Sequence, residues 1–295
     1  MSSQFLKSLI IVLLLGGCAG TIAEYNGADA PSFTPYSSQA RPRVALVLGG
    51  GGPRGFAHIG VLKVLEANGI EADTVVGNSV GAMVGALYTA GLKASAIETI
   101  ALELDAKRFI GISTSGLTGN GSAIEGFITN LIGSVPLENL KRRLVVAAAR
   151  RSDNVLTIFN HGNTAAAVRP SSALPGRFAP VRINGVEYYD GDEATPVPIR
   201  AARDLGAQIV IAIDVSAYLE ATPTEVPQEW RTRDQMRTGK ITLEKPFADV
   251  FIHPNLGYYA GISDAYRRMC IRRGEEATLA ALPAIREALA KLNHS

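Results

Sequence analysis

The stretch DTVVGNSVG, residues 73–81, dominates the fold prediction because it joins a buried strand to a helix through a sharp turn. The residues before Gly77 are typical of a short buried strand, and the apolar residues of 82–88 recur at helical spacing. Between them, Gly77 and Gly81 flank Ser79 in the pattern G-x-S-x-G. Side chains at the two flanking positions would collide in such a turn, which pushes the serine hydroxyl outward. The sequence therefore makes Ser79 a candidate nucleophile.

The composition is that of one large globular domain with no nucleic-acid-binding character. Of the 295 residues, 47% are apolar and 19% are charged. The formal net charge of +2 comes from 29 basic and 27 acidic side chains. Such a balance argues against nucleic acid as a partner and favours neutral or amphiphilic molecules.

Apolar runs alternate with helix-forming stretches along the rest of the chain. Strands are predicted at 44–48, 144–148, 155–159, 186–189, 209–215 and 250–252. The last two helices are predicted near 260–270 and 275–292, whereas 220–245 is charged and contains prolines, which predicts an excursion loop or a lid. Strands that alternate with helices predict an α/β fold with a mostly parallel sheet covered on both faces.

The amino-terminal segment has the pattern of an export signal. Lys7 precedes an uninterrupted apolar stretch over residues 9–15. This stretch is too short to span a bilayer, which takes about 20 residues. We therefore expect a signal peptide over residues 1–17. Two alternatives stay open, namely a signal peptide cut elsewhere and a cytoplasmic protein with an apolar start.

The residues at the end of this segment resemble the lipobox of bacterial lipoproteins. Leu15-Gly16-Gly17-Cys18 has the lipobox pattern, in which the cysteine becomes the lipidated first residue of the mature protein. In that family a residue other than aspartate after the cysteine implies outer-membrane sorting, and Ala19 follows here. The resemblance implies a lipid anchor at Cys18, at the periplasmic face of the outer membrane of a bacterial cell envelope.

Residues 18–42 are predicted to be a lipidated amino terminus and a flexible tether. They are rich in alanine, serine, proline and glycine and lack periodicity. The folded domain is then predicted over 43–295. Cys270 has no intramolecular partner if Cys18 is acylated, so we interpret it as a small buried apolar residue.

A glycine-rich loop over residues 49–55 is a candidate oxyanion hole. Acyl transfer needs N–H donors where the oxyanion forms, and each donor contributes about 3 kcal/mol. Glycines let the backbone approach a substrate, and a strand-to-helix turn points successive N–H groups outward. Pro53 has no N–H group to donate. The candidate donors are therefore Gly51, Gly52 and Arg54.

The same loop has an alternative interpretation as a dinucleotide site. Gly50, Gly52 and Gly55 satisfy the pattern G-x-G-x-x-G. That pattern also requires an acidic residue about twenty positions on, at the end of the second strand. The sequence Gly77-Asn78-Ser79 stands there instead, which weighs against a nucleotide.

A serine nucleophile also needs a base, and the chain offers a histidine and an aspartate. His58, in the first helix, lies nearest to the turn in sequence, but we interpret it as a structural residue beneath the loop. Asp190-Gly191 follows the strand predicted at 186–189 and precedes a helix predicted at 199–204. An aspartate with an ordinary pKa is a poor base, so the site must bury it or couple it to the hydroxyl. An ordinary Asp-Gly turn is the alternative.

Four motifs resemble those of patatin-like phospholipases in residue type, order and approximate spacing. They are GGGGPRG at 49–55, HIGVL at 58–62, GNSVG at 77–81 and DG at 190–191. Residues 171–176, followed by Phe178 and Pro180, are similar to the segment before the family's aspartate. The resemblance covers residues 44–292.

The resemblance implies a three-layer α/β/α fold related to that of cytosolic phospholipase A2. It also implies a catalytic dyad of Ser79 and Asp190, an oxyanion hole in the loop 50–55, and no metal or organic cofactor. In the family the arginine that matches Arg54 helps to position this loop and favours anionic phosphate groups. The expected substrate is a phospholipid or another lipid ester, and the expected activity is that of a phospholipase A or lysophospholipase.

The chain departs from the family pattern at two positions. Asp192 replaces the usual glycine or alanine after Asp-Gly, and Thr195 replaces the usual asparagine before Pro-Val-Pro. A second carboxylate near the base raises the pKa of Asp190 if it faces that residue, and has no such effect if it faces solvent. Two other functions therefore stay open, a general carboxylesterase and a catalytically silent, lipid-binding envelope lipoprotein.

Overall fold

A mixed sheet forms the centre of the computed structural model, which describes residues 22–37, 42–105 and 121–293. In these residues the strands are β1 (Ala23–Tyr25), β2 (Val44–Leu48), β3 (Thr74–Asn78), β4 (Arg143–Arg150), β5 (Leu156–Phe159), β6 (Val181–Ile183), β7 (Val186–Asp190), β8 (Ile209–Ile213) and β9 (Val250–Ile252). Their order is β1-β6-β7-β4-β3-β2-β8-β9, with β5 paired to β4. The pairs β6–β7, β7–β4 and β4–β5 are antiparallel and the other five are parallel, which confirms the mostly parallel sheet.

Helices cover both faces of this sheet. The described helices are α1 (Phe56–Ala67), α2 (Val80–Thr89), α3 (Ala94–Glu103), α4 (Ser122–Ile132), α5 (Thr164–Ser171), α6 (Ile199–Asp204), α7 (Gln228–Glu244) and α8 (Asp264–Ala290). Strand β2 shows the layering, because Leu46 and Leu48 lie in one apolar cluster with α1, α2 and α8. Ala45 and Val47 lie in a second cluster with Ile199 of α6. A strand buried on both faces is apolar throughout, and the three-layer α/β/α fold is confirmed.

The carboxyl-terminal part forms one helix, α8, instead of the two predicted, and this helix packs closely against α1. Gly274 lies where those two helices were expected to meet, and a side-chain carbon there would be 2.1 Å from the Ala57 carbonyl oxygen. A side-chain carbon at Gly60 would be 2.0 Å from the Ile271 carbonyl oxygen. The glycines allow the two helices to touch along an unbroken α8, which buries Cys270 between them and the sheet.

The segment 22–37 packs on the domain, unlike the flexible tether predicted for 18–42. Strand β1 pairs in parallel with β6. Ala30 is buried, and the Thr34 amide donates to Asn160 Oδ1 at 2.9 Å. The backbone groups of this segment therefore have partners in the sheet and its loops, which composition did not indicate. Cys18 and the remainder of the predicted tether at 19–21 and 38–41 lie outside the described residues.

Helix α7 occupies Gln228–Glu244 of the charged segment 220–245, so the prediction of an excursion loop is wrong there, and the alternative of a lid stays a prediction. Helix α7 buries one apolar side chain, that of Ile241, and is otherwise held by polar contacts. The Arg200 amide, for example, donates to Glu244 Oε2 at 2.6 Å. A helix without an apolar stripe has no periodicity for a sequence pattern to detect. Within the described residues, no helix combines the length and the apolarity needed to cross a bilayer.

Candidate active site

Ser79 occupies a strained turn between β3 and α2. Its backbone angles are φ 53° and ψ −123°, a combination that residues with side chains rarely adopt. The turn also brings α2 against β2, since a side-chain carbon at Gly81 would lie 2.0 Å from the Leu48 carbonyl oxygen. At Gly77 the same atom would lie 2.6 Å from the Ala82 Cα atom. Both glycines of the pattern are therefore required by backbone contact.

The sheet brings Ser79 to Asp190, although 111 positions separate them in sequence. Ser79 Oγ donates to Asp190 Oδ2 at 2.7 Å. Asp190 ends β7, which lies beside β4, and β4 lies beside β3, the strand that leads to Ser79. The second carboxylate oxygen, Asp190 Oδ1, accepts from the Asp192 amide at 3.0 Å. The two residues that the sequence nominated as nucleophile and base are thus in direct contact.

The surroundings of Asp190 make it a stronger base than an ordinary aspartate. Its side chain is buried, and this burial raises the pKa of its carboxyl group well above the usual value. The neighbouring Asp192 carboxylate raises the pKa further, while hydrogen bonds from the Asp192 amide and Ser79 and the charge of Arg237 oppose the rise. Asp192 therefore faces the base, which the sequence alone left open.

We expect Asp190→Asn to stabilise the fold while it removes the base. The pKa of the Asp190 carboxyl group is higher in the folded protein than in the unfolded chain. The contribution of this group to the free energy of unfolding is therefore fully present below the unfolded pKa and is lost as pH rises through the folded pKa. Near pH 7 the free energy of unfolding of the variant should exceed that of the wild type by about 0.5–2 kcal/mol, a gain common for stabilising substitutions. The variant should therefore unfold at a higher denaturant concentration. The gain should vanish below the pKa of an ordinary carboxyl. A variant less stable than the wild type at both pH values would contradict this.

His58 supports the glycine loop and does not contact the serine. Its Nε2 lies 2.8 Å from the Gly49 carbonyl oxygen, and because a carbonyl only accepts, Nε2 carries the proton. Burial lowers the pKa of this imidazole from 6.5 to about 4, so the ring is neutral near pH 7. The remaining histidines within the described residues also bind elsewhere, His161 to Asn160 and His253 to the Ser216 carbonyl.

Acid should destabilise the wild type through His58. Between pH 6.5 and about 4 the unfolded chain binds a proton at this imidazole that the folded chain does not, so the free energy of unfolding falls as pH falls. The whole shift corresponds to about 3 kcal/mol. Denaturant unfolding across this range should show a shallower pH dependence for His58→Gln, whose amide can still donate to Gly49. Equal slopes for both proteins would contradict the assignment.

The glycine loop offers two backbone donors at the site. Gly50 N–H donates to the Pro196 carbonyl at 2.9 Å, and Arg54 N–H turns back to the Gly51 carbonyl at 3.3 Å. In the described part of the chain, the N–H groups of Gly51 and Gly52 have no acceptor. Both residues line one cavity together with Ser79. Of the three predicted donors, Gly51 and Gly52 are thus available to an oxyanion, whereas Arg54 N–H serves the loop.

The Arg54 side chain ties the glycine loop to a second loop. Its Nη2 donates to the Tyr258 carbonyl, and its Nε lies 3.4 Å from the Gly257 carbonyl. Burial lowers the pKa of this guanidinium, against the smaller effects of neighbouring acidic groups. The expectation that Arg54 positions the loop agrees with these contacts. Nε and Nη2 are thus directed at protein carbonyls, and the expected preference for anionic phosphate groups stays a prediction.

An apolar cavity of about 700 Å³ opens beside Ser79. It passes between α2, α3 and α4, and Asp190 and the glycine loop lie in the same wall as the serine. Representative apolar residues of the lining are Phe56, Met83, Leu87, Ile97, Phe127 and Ile262. A concave apolar space with a few polar groups at one end is the usual form of a site for an apolar ligand. A hydrocarbon chain bound in this cavity would lie next to the Ser79 hydroxyl.

Several polar residues of the site were missed by sequence reasoning. Asn78 Nδ2 donates to Asp192 Oδ1 at 2.8 Å, and the Ser79 amide donates to Ser171 Oγ at 2.8 Å. Arg237, on α7, donates to the Asp192 carboxylate and, at 2.7 Å, to the Gly50 carbonyl. Asn78 and Ser171 lie inside the motifs and were detectable there. Arg237 lies in a segment without pattern, so no local signal pointed to it.

The chain belongs to the patatin-like phospholipase family, whose family model matches residues 46–203. An uncharacterized NTE family protein of Mycobacterium tuberculosis is 31% identical over 217 residues, which are 69% of this chain and 59% of that relative. Lysophospholipase NTE1 of Saccharomyces cerevisiae is 29% identical over 194 residues, 62% of this chain and 11% of the yeast protein. The chain therefore covers less than two thirds of either relative.

The fold is also similar to a solved structure. The crystal structure of VipD from Legionella pneumophila matches with a TM-score of 0.54 over 82% of this chain and 66% of that chain. The two sequences are 13% identical over the match. A likeness at this identity concerns the fold alone, and it agrees with the layered architecture described above.

Proposed function

We propose that the protein is a lipid acyl hydrolase that cleaves the ester bonds of phospholipids or lysophospholipids. The contact between Ser79 Oγ and the buried Asp190 carboxylate, at the end of an apolar cavity, is the observation that carries the proposal. Membership of the patatin-like phospholipase family supports it. So does the similarity to a yeast protein named lysophospholipase.

In the proposed reaction the acyl chain occupies the apolar cavity and its ester carbonyl lies against Ser79. Ser79 Oγ attacks the carbonyl carbon while Asp190 accepts the hydroxyl proton. The N–H groups of Gly51 and Gly52 stabilise the oxyanion, and the alcohol leaves with the proton from Asp190. Water then attacks the acyl-enzyme while Asp190 accepts its proton. The bond between Ser79 Oγ and the acyl carbon breaks, the proton returns from Asp190 to Ser79 Oγ, and the fatty acid is released.

Fatty-acid release from three substrates tests this proposal. Purified protein is incubated with phosphatidylcholine, lysophosphatidylcholine and 4-nitrophenyl butyrate, beside a Ser79→Ala variant. We expect release from at least one of the lipids by the wild type and none by the variant. Hydrolysis of the nitrophenyl ester alone would favour a general carboxylesterase. Absence of hydrolysis and of fluorophosphonate labelling in folded protein would favour a silent lipid-binding protein.

We also propose that the chain is lipid-anchored through Cys18 after removal of residues 1–17. The support is the lipobox pattern and Ala19 after it. An anchor would hold the hydrolase beside its substrate at high effective concentration. Expression of the full chain in bacteria fed an alkyne fatty acid should label the wild type but not Cys18→Ala. Labelling of both, or of neither, would overturn the anchor without affecting the proposed hydrolase activity.

A further inference from the structure

Asp192, one of the two departures from the family pattern, contacts three elements around the dyad. Its amide donates to Asp190 Oδ1 at 3.0 Å, on the carboxylate oxygen that does not bind Ser79. Its own Oδ1 accepts from Asn78, the residue before the nucleophile, at 2.8 Å. Its Oδ2 accepts from Arg237 Nη1. One residue thus links the base, the strand that carries the nucleophile, and helix α7.

Arg237 extends this link to the oxyanion loop. Its Nη2 donates to the Gly50 carbonyl oxygen at 2.7 Å. The Gly50 carbonyl and the Gly51 N–H belong to one trans peptide group, so they point in opposite directions. A guanidinium that holds the carbonyl therefore sets the direction of the Gly51 N–H, one of the two available donors. Glycine at position 50 leaves room for the Asp192 carboxylate, because a side-chain carbon there would lie 2.3 Å from Asp192 Oδ1.

We propose that Asp192 and Arg237 form a charge-compensated clamp, in which both act as positioning residues for the base and the oxyanion loop. The catalytic part of this inference rests on the proposed hydrolase function. The Asp192 carboxylate orients Asn78 and Arg237, and the fixed guanidinium orients the Gly50–Gly51 peptide group. Because Asp192 carries a charge beside the base, the clamp works only with the cation from α7 in place.

The charges around the clamp determine how each substitution should act on Asp190. Among the described residues, the charges of Asp192 and Arg237 act on Asp190, and those of Asp190, Asp192 and Asp214 act on Arg237. Arg54 lies within the field of Arg237, and Lys240 donates to the Asp192 carbonyl. Loss of the Arg237 cation removes a charge that favours the Asp190 carboxylate, so Asp190 must hold its proton to higher pH. Loss of the Asp192 charge acts in the opposite direction. When both charges are lost, the two opposite shifts in the pKa of Asp190 should largely cancel.

Rate profiles against pH test the clamp through these opposite shifts. With an ester that the wild type hydrolyses, Arg237→Gln should lower kcat about 10- to 100-fold, change KM little, and move the acidic limb of the kcat profile to higher pH. Asp192→Asn should move that limb to lower pH, and the double variant should return it toward the wild-type position. Arg237→Lys should keep the limb in place, because it keeps the charge, but recover only part of kcat.

Arg231→Gln provides a matched control on the same helix. The Arg231 guanidinium donates to the carbonyls of Val226 and Pro223, so its loss weakens α7 without removing a charge from the base. We expect its acidic limb to coincide with that of the wild type. A limb that moves equally in the Arg231 and Arg237 variants, or in neither, would overturn the clamp.

A readout that does not need turnover separates this inference from the proposed function. Carbon-13 NMR of aspartate carboxyls, with the Asp190 signal identified by its loss in Asp190→Asn, follows the titration of the base directly. The Asp190 titration should move to higher pH in Arg237→Gln and to lower pH in Asp192→Asn. These shifts in a protein that hydrolyses no ester would support the clamp and refute the hydrolase. An active enzyme whose Asp190 titration does not respond to either substitution would refute the clamp alone.

Discussion

Ser79→Ala and Asp190→Asn should each lower kcat about 10⁴-fold or more on any ester that the wild type hydrolyses. The first substitution removes the attacking oxygen, and the second removes the only group that accepts the Ser79 hydroxyl proton among the described residues. Combining the two should cost little more than either alone, because nucleophile and base act in one step. Initial rates at saturating substrate, with fluorophosphonate labelling of the serine, measure this effect.

His58→Gln is the control for the choice of base. The glutamine amide can replace the hydrogen bond to the Gly49 carbonyl, so we expect turnover within about tenfold of the wild type. All variants must show a cooperative unfolding transition before their rates are compared. Full turnover in Asp190→Asn together with loss of turnover in His58→Gln would show that the dyad is assigned to the wrong residue.

Gly81→Ala should destabilise the protein by about 4 kcal/mol or more, which is exceptional for the addition of one methyl group. Its side-chain carbon would lie 2.0 Å from the carbonyl oxygen and 2.6 Å from the carbonyl carbon of Leu48, in the central strand β2. Backbone atoms of a central strand cannot rotate away, so α2 must move and carry Ser79 with it. Denaturant unfolding of the purified variant, or loss of soluble protein on expression, measures the effect.

Gly126→Ala is the matched control for this substitution. It lies within helix α4, where a side-chain carbon would meet nothing within 4 Å. Alanine at such a position should stabilise the protein by about 0.5–1 kcal/mol, because it restricts the unfolded chain. Equal stability changes at Gly81 and Gly126 would mean that the close contact between α2 and β2 is wrong.

Local patterns in the sequence predicted the strands and the turn that carry the site. Strands β2 and β8 are buried on both faces, as their uninterrupted apolar runs predicted. The G-x-S-x-G pattern indicated a turn in which backbone contacts leave no room for side chains at Gly77 and Gly81. This pattern too is local. Resemblance to the family identified Asp190 as the partner of Ser79, since the Asp-Gly pattern alone was compatible with an ordinary turn.

Strand β1 and helix α7 are among the elements that escaped prediction, because backbone pairing and polar side-chain contacts, not apolar periodicity, hold them in place. Strand β1 has three residues and is held by backbone pairing to β6, a contact that any side chains permit. Helix α7 has a single buried apolar residue and is bound by Arg237 and Lys240 to the turn after Asp190. Neither arrangement leaves a period-2 or period-3.6 pattern in the sequence.

Local sequence patterns predicted most of the buried strands, the sharp turn at Ser79 and the residue types at the turns, because burial and backbone strain act on consecutive residues. Which of those turns meet depends on strand order and helix packing, which are properties of the tertiary fold. Strand order places Asp190 against Ser79 across 111 positions, and α7 brings Arg237 to Asp192 across 45. Of the charges that act on the base, that of Asp192 is close in sequence, whereas that of Arg237 comes from a distant part of the chain. No local sequence pattern could therefore predict the effect of Arg237 on the pKa of Asp190.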